Sequence, residues 1–134
     1  MATRSTIWIK NDDETYAGIY CHWDGYLENN GVLLVENYQD KDKVRKLIEL
    51  GSISSLHEEV DCPDGHSFDN PVQGVVVAYH RDRNEDLCVY RNIPFEQLDR
   101  YFEEYNYFFI GNRWKYTKNN KSRLLLVPKS KKIS

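Results

Sequence analysis

The sequence has few of the residues that signal disulfide bonding or membrane insertion. Its three cysteines, Cys21, Cys62 and Cys88, are odd in number and scattered along 134 residues, which favours reduced thiols over a disulfide framework. No apolar run approaches the roughly 18 to 20 residues that span a bilayer, and the opening MATRSTIWIK lacks the charged, apolar and small-residue regions of a secretory signal. We therefore expect a cytoplasmic protein with free thiols.

Motifs of the common enzyme classes are also missing. The chain contains no GxGxxG, no GxxxxGK[ST] phosphate loop, no GxSxG elbow and no HExxH. These absences argue against dinucleotide, nucleoside-triphosphate, serine-hydrolase and zincin chemistry. We predict no cofactor and no resident metal, and we expect a binding protein rather than an enzyme.

The charge is distributed unevenly along the chain. Residues 111–134 hold eight of the 18 Lys and Arg and no acid, so residues 1–110 carry ten basic against 21 acidic residues, a net charge of −11. A basic C-terminal end could contact nucleic-acid phosphates, which makes a nucleic-acid-binding module one alternative function. The other interpretation is a solvated hairpin with a flexible tail.

Length and patterning predict one α+β domain over residues 1–128, followed by a basic, flexible tail at 129–134. The expected architecture is a mostly antiparallel sheet, built of two hairpins and a C-terminal hairpin or meander and covered on one face by about three helices. Periodicity and turn residues predict strands at 6–10 and 15–23, then helices at 27–38 and after Asp40 up to Gly51. A long loop follows at 52–74, and a central strand at 74–80 pairs with 87–91. Pro94 opens a further helix, and the last strands lie on either side of a turn at Gly111 and Asn112.

Alternation along the first hairpin predicts its register. A period of two puts Ala17, Ile19, Cys21 and Trp23 on one face of the second strand. If Ile7 and Ile9 share that apolar face, the opposite face carries Arg4, Thr6, Trp8, Tyr20 and His22.

Two polar stretches are candidate sites. The segment YCHWDGY ends the second strand and combines stacking rings with hydrogen-bonding groups, in Tyr20, His22, Trp23, Asp24 and Tyr26. The segment RDRNED contains Arg81, Asp82 and Arg83, and the alternative to a functional role there is an ordinary ion-pair network. For His22 and Asp24 the alternative is a capped turn.

A metal-dependent hydrolase or nuclease is the sharper enzyme hypothesis. His22, Asp24 and Asp82 supply the nitrogen and oxygen ligands that such a site needs. A zinc site from Cys21, His22, Cys62 and His66 is less favoured, because neighbouring residues of a strand point to opposite faces.

The opening MATRSTI, the element YCHWDGY, the segment KVRKLIELGSISSL and a later Y-x-R-D-R stretch resemble a family of small uncharacterised proteins encoded by bacteriophages and prophages. The resemblance covers about the first 85 residues, and the chain departs from the pattern at Leu27, where the family has proline. It implies an accessory role in a bacterial host cell and no particular reaction. The positions that it singles out are Arg4, His22, Trp23, Asp24, Gly25, Tyr26, Arg81 and Arg83.

These observations together predict a binding surface. Guanidinium groups suit anions, aromatic rings suit stacking, and Asp24 is a directed acceptor. We expect the surface to consist of Arg4, Tyr20, His22, Trp23, Asp24, Tyr26, Arg81 and Arg83. The expected partner is a host or phage protein, blocked during infection or in counter-defence, or a small anionic nucleotide.

Overall fold

The computed structural model describes residues 3–118 and the backbone of residues 125–126. It confirms a single-domain α+β fold with one mixed sheet. The strands are β1 (Ser5–Lys10), β2 (Thr15–Cys21), β3 (Ile53–Ser55), β4 (Val77–Ala78), β5 (Tyr90–Pro94), β6 (Tyr105–Ile110), β7 (Arg113–Lys118) and β8 (Leu125–Leu126). They lie in the order β4-β3-β2-β1-β6-β7-β8, and β5 pairs with part of β2.

The predicted register of the first hairpin is confirmed. β1 and β2 are antiparallel, with Ile7 opposite Ile19 and Ile9 opposite Ala17. On the other side β1 pairs in parallel with β6, a long-range contact between the two ends of the chain. The sheet is therefore centred on β1, and the segment that follows β2 lies where β1, β3 and β6 can all contact it.

The first helices also follow the prediction closely. A π-helical turn (Leu27–Gly31) leads into α1 (Val32–Asn37), and α2 runs over Lys41–Glu49. Asp40 caps α2 by accepting a hydrogen bond from the Asp42 amide at 3.1 Å, which satisfies one of the unpaired amides of the first turn. Gly51 follows the helix with φ +80°, a left-handed conformation that favours glycine.

The sheet is covered on both faces, so the prediction of helices on one face is wrong. The face that carries Ile7 and Ile9 packs on α1 and α2. The opposite face buries Trp8, Tyr16 and Phe108, which pack against a 3₁₀-helix (Phe95–Tyr101). Tyr16 looks polar in a sequence pattern but buries its ring, because a tyrosine needs water only at its hydroxyl.

The predicted central hairpin of 74–80 with 87–91 is also wrong. β4 contains only Val77 and Ala78 and pairs with β3, while β5 pairs with β2. A short helix, α3 (Tyr79–Arg83), replaces the expected end of the strand and its turn. β4 lies at the edge of the sheet, and both its residues are buried, because the loop at Glu59 and α3 at Asp82 bond to this edge.

The C-terminal half differs from the prediction mainly in its helix. Pro94 does precede a helix, but that helix is 3₁₀ and ends at Tyr101, so Tyr105 begins β6 instead of extending an apolar stripe. β6 and β7 form the expected hairpin, with positive φ at Gly111 and Asn112, and β8 pairs with β7. The predicted tail at 129–134 lies outside the described residues. Each helix within the described part of the chain falls short of a membrane span in length and apolar character.

Candidate functional site

The HWDGY turn, residues 22–26, is held in place by its main chain. The amides of His22 and Trp23 donate to the carbonyls of Ile53 and Ser54 at 3.1 and 2.9 Å, so the turn continues the pairing of β2 with β3. Asp24 then adopts φ +55° and bends the chain away from the sheet. Because these bonds satisfy the backbone, the side chains of the turn are not needed to fix its path.

Gly25 is the tightest point of the turn. Its amide donates to the Thr3 carbonyl at 2.8 Å, and its carbonyl accepts a hydrogen bond from the buried Tyr107 hydroxyl at 2.7 Å. A Cβ at this position would lie 2.6 Å from Ser5 Cβ and 2.8 Å from the Thr3 oxygen, which is closer than real atoms approach. Only glycine fits here without displacing β1.

Three rings at the start of the turn, those of Tyr20, His22 and Trp23, contact one another in series. The Tyr20 hydroxyl and His22 Nδ1 share a hydrogen bond of 2.7 Å, and the His22 and Trp23 rings meet edge to face at 4.7 Å. Trp23 is 44% exposed and Tyr26 is 38% exposed. The turn thus presents two large rings to solvent from a fixed backbone.

Arg4 lies on the same face of the sheet as Tyr20 and His22, as the register predicts. Burial raises the pKa of the Tyr20 hydroxyl, and the positive charge of Arg4 acts in the opposite direction, which places the two groups within electrostatic reach. Arg4 is exposed. It therefore adds an exposed positive charge beside Tyr20.

Arg81 is committed to contacts inside the protein. Its guanidinium donates to both oxygens of Asp82, to the Val60 carbonyl and, at 2.7 Å, to the Val76 carbonyl. Its side chain is 21% exposed, and that of Asp82 is 2% exposed. The ion-pair alternative therefore describes Arg81 and Asp82 correctly.

Asp82 also joins the long loop to the edge of the sheet. Its carboxylate accepts hydrogen bonds from the Ala78 amide at 2.8 Å and from His66 Nε2 at 3.0 Å. The His66 side chain is fully buried, and its Nδ1 accepts a hydrogen bond from the Val72 amide. With one ring nitrogen bonded to Asp82 and the other to the Val72 amide, His66 anchors residues 66–72 to the edge of the sheet.

Arg83 is the exposed member of the RDRNED segment. It pairs with Glu85 at 3.0 Å, and its guanidinium lies 4.9 Å from the centre of the Phe68 ring. In residues 3–118, no hydrogen bond or ion pair joins Arg81 or Arg83 to the HWDGY turn. The structure thus brings together Arg4, Tyr20, His22 and Trp23, to which Asp24 and Tyr26 are joined along the turn, and it gives Arg81 and Arg83 separate partners.

No family model, no curated protein and no solved structure matches this chain. The site is therefore interpreted from its own geometry. Within the described residues no group of three His, Cys, Asp or Glu side chains could hold a metal ion. His22, Asp24 and Asp82 accordingly do not assemble the hydrolytic centre considered from the sequence, since Asp82 is buried with Arg81 and His66.

A pocket of about 460 Å³ lies next to the turn, and sequence reasoning missed it. Its lining residues come from three parts of the chain. Asn29 belongs to the π-helical turn and Leu33 to α1, whereas Ser55 ends β3 and His57 follows two residues later. Residues 71–75 of the long loop also line it. The sequence signal was only a long loop rich in polar residues. No motif connects these positions, because they meet through the tertiary fold.

Proposed function

We propose that this chain is a bacteriophage or prophage accessory protein that acts by binding a host or phage protein in the bacterial cytoplasm, with the HWDGY turn as the contact surface. The observation that carries the proposal is the exposure of Trp23 and Tyr26 on a backbone held from three sides. The phage setting rests on the resemblance of the MATRSTI and YCHWDGY elements.

Exposed rings on a rigid support suit a protein interface. Each Å² of apolar surface that a partner removes from water stabilises the complex by about 25 cal/mol. Trp and Tyr are enriched among the residues that dominate interface energies. Since main-chain hydrogen bonds already fix the turn, binding orders little that is mobile, which lowers its entropic cost.

The surrounding polar groups complete the proposed surface. The Tyr20–His22 pair contacts the Trp23 ring through His22, and Arg4 and Asp24 are exposed nearby in the chain or sheet; these groups would give orientation rather than most of the affinity. Arg81 supports the fold and is not part of the contact surface in this proposal. Arg83 is exposed but lies with Phe68 and Glu85, so it serves as a position that tests the extent of the surface.

A small nucleotide is the alternative occupant. Arg81 is one of the arginines that the sequence suggested for binding phosphate. Its N–H groups donate instead to Asp82 and to two backbone carbonyls. Arg4 is then the arginine at this surface that could contact a phosphate. This commitment favours a protein partner. Thermal-shift measurements of the wild type with a nucleotide panel address the alternative directly: a shift that Arg4→Ala abolishes would support a nucleotide over a protein.

Affinity capture from bacterial lysate tests the proposal. The wild type should retain one partner that Trp23→Ala and Tyr26→Ala lose. Phe95→Ala is the matched control, because Phe95 is also an exposed ring, at 52%, but it follows Pro94, which pairs with Thr15 at the opposite end of β2 from the turn. Unfolding midpoints of all three variants should stay near that of the wild type, which separates lost binding from lost folding.

Two results would contradict the proposal. One is the absence of any partner that the wild type retains. The other is equal retention by Trp23→Ala and the wild type, which would place the contact elsewhere on the molecule.

A further inference from the structure

The pocket beside the HWDGY turn has walls that are each held by hydrogen bonds. On the helical side, the Asn29 side chain donates to the Asp24 carbonyl at 3.1 Å. The strand side is fixed at the His57 carbonyl, which accepts from the Tyr38 hydroxyl at 2.6 Å. The loop side is fixed by Val72, whose amide donates to buried His66. A volume of about 460 Å³ between such walls falls within the range of preformed ligand sites.

The lining combines an apolar body with a few polar groups. Leu33 and the valines of the loop and β4 supply the apolar part. The Ser55 hydroxyl and His57 Nε2 lie 3.1 Å apart and share a hydrogen bond. Burial lowers the pKa of His57, so its ring is neutral near pH 7 and adds no positive charge to the pocket.

The charge of the pocket comes from Glu58. Its carboxylate Oε1 lies 4.0 Å from the position that a Cβ on Gly74 would occupy, which puts it at the loop wall. Lys43 donates at 2.8 Å to the backbone carbonyl of Glu58 and not to its carboxylate. Within residues 3–118 no ion pair neutralises this carboxylate, and no Lys or Arg lines the pocket.

The lining itself holds one carboxylate, Glu58, and no Lys or Arg. Lys43 and Arg81 lie close by, but they donate to the backbone carbonyls of Glu58, Val60 and Val76. Asp24 is close enough to influence His57 electrostatically. An anionic ligand such as a phosphate is therefore disfavoured, whereas a cation with an apolar stem matches both the charge and the walls.

The pocket adjoins the proposed contact surface directly. Asn29 both lines the pocket and bonds to Asp24, and the Trp23 amide bonds to Ser54, the neighbour of Ser55. The backbone of Trp23 thus lies one strand spacing, about 4.8 Å, from the part of β3 that carries the pocket residue Ser55.

We propose that this pocket receives a basic side chain, arginine or lysine, of the partner protein, with the Glu58 carboxylate as its counter-ion. The inference rests on the proposed function and assigns the partner a chemical character: a cationic residue next to a surface that packs on Trp23 and Tyr26. Ser55 and Asn29 add acceptors for the remaining N–H groups of the cation.

An NMR titration of the full chain tests the pocket without the partner. The probe is Nα-acetyl-arginine methylamide, and its neutral isostere Nα-acetyl-citrulline methylamide is the matched control ligand. The arginine probe should produce saturable shifts at the amides of Ser55, His57 and Gly74, with an affinity at least tenfold above that of the citrulline probe. Glu58→Gln should weaken the arginine probe at least fivefold, while Asp64→Asn, the same charge change on the same loop outside the pocket, should weaken it less than twofold.

Three outcomes would overturn the inference: no saturable shift at these amides, equal affinity of the two probes, or equal effects of the two variants, which would indicate a general acidic surface. Trp23→Ala distinguishes this inference from the proposed function. It should abolish partner capture and leave the titration unchanged, so either hypothesis can fail while the other stands.

Discussion

The two turns that follow β2 and β4 use similar residues in opposite ways. In the HWDGY turn, the amides of His22, Trp23 and Gly25 bond to neighbouring main chains, the carbonyls of Asp24 and Gly25 accept from Asn29 and Tyr107, and Trp23 and Tyr26 stay in solvent. The RDRNED segment turns Arg81 and Asp82 inward to bond with carbonyl and amide groups. Residue type alone does not separate a binding residue from a structural one. The two roles differ in the backbone hydrogen bonds around the residue, because a buried backbone group without a main-chain partner needs a bond from a nearby side chain.

The largest effect should come from removing the inward arginine. We expect Arg81→Ala to lower the free energy of unfolding by about 3–5 kcal/mol, since it leaves the buried Asp82 carboxylate unpaired and two carbonyls without a donor. Arg83→Ala, which removes an exposed pair with Glu85, should cost about 0–1 kcal/mol. Urea unfolding of both variants measures the difference. Equal and small losses would show that the two turns do not differ as described.

A smaller effect should come from the glycine of the other turn. We expect Gly25→Ala to destabilise the protein by about 1–3 kcal/mol, because its new methyl group would overlap Ser5 and the Thr3 carbonyl. The double variant with Ser5→Gly should recover part of the loss, and urea unfolding of the full cycle measures that coupling. Strictly additive costs would contradict the packing described here. Partner capture should fail in Gly25→Ala as well, since the turn would shift.

The pH dependence of stability should depend on the buried Asp82 carboxylate of the RDRNED segment. Burial alone would raise the pKa of Asp82, but hydrogen bonds from Arg81, the Ala78 amide and His66 together hold it below its usual value. The unfolded chain then binds the proton more tightly than the folded protein. The stabilisation is therefore complete above about pH 4, the ordinary pKa of aspartate, and decreases as the pH falls below it.

Urea unfolding between pH 3 and 7 measures this contribution. The slope at the acidic end should be smaller in Asp82→Asn than in the wild type, because the asparagine does not titrate. An identical slope in both proteins would show that Asp82 does not carry a perturbed pKa.

Much of the fold follows from local patterns in the sequence. The register of the first hairpin follows from the alternation of Ile7, Ile9, Ala17 and Ile19, and α2 follows from its cap at Asp40 and its end at Gly51. These features depend on residues close together in the chain. The parallel pairing of β1 with β6 joins positions about a hundred residues apart, and no local pattern encodes it.

The parts of the candidate site that depend on local patterns were predictable, and the parts that depend on tertiary contacts were not. The shared face of Arg4, Tyr20 and His22 follows from strand alternation. The inward role of Arg81 does not, because it depends on the position of Val76 at a sheet edge that only the tertiary structure defines. The pocket near His57 is assembled from three separate segments, so its residues carry no common spacing.

The edge of the sheet at β4 has a further consequence for the protein at high concentration. On its outer side, the Val76 amide donates to the Glu59 carbonyl, the Val76 carbonyl accepts from Arg81, and the Ala78 amide donates to Asp82. An edge strand with unpaired amides and carbonyls would offer a template for another copy of the chain and start edge-to-edge aggregation. Because Arg81 and Asp82 occupy these groups, we expect loss of either side chain to leave the backbone of this edge unpaired and to increase aggregation during expression.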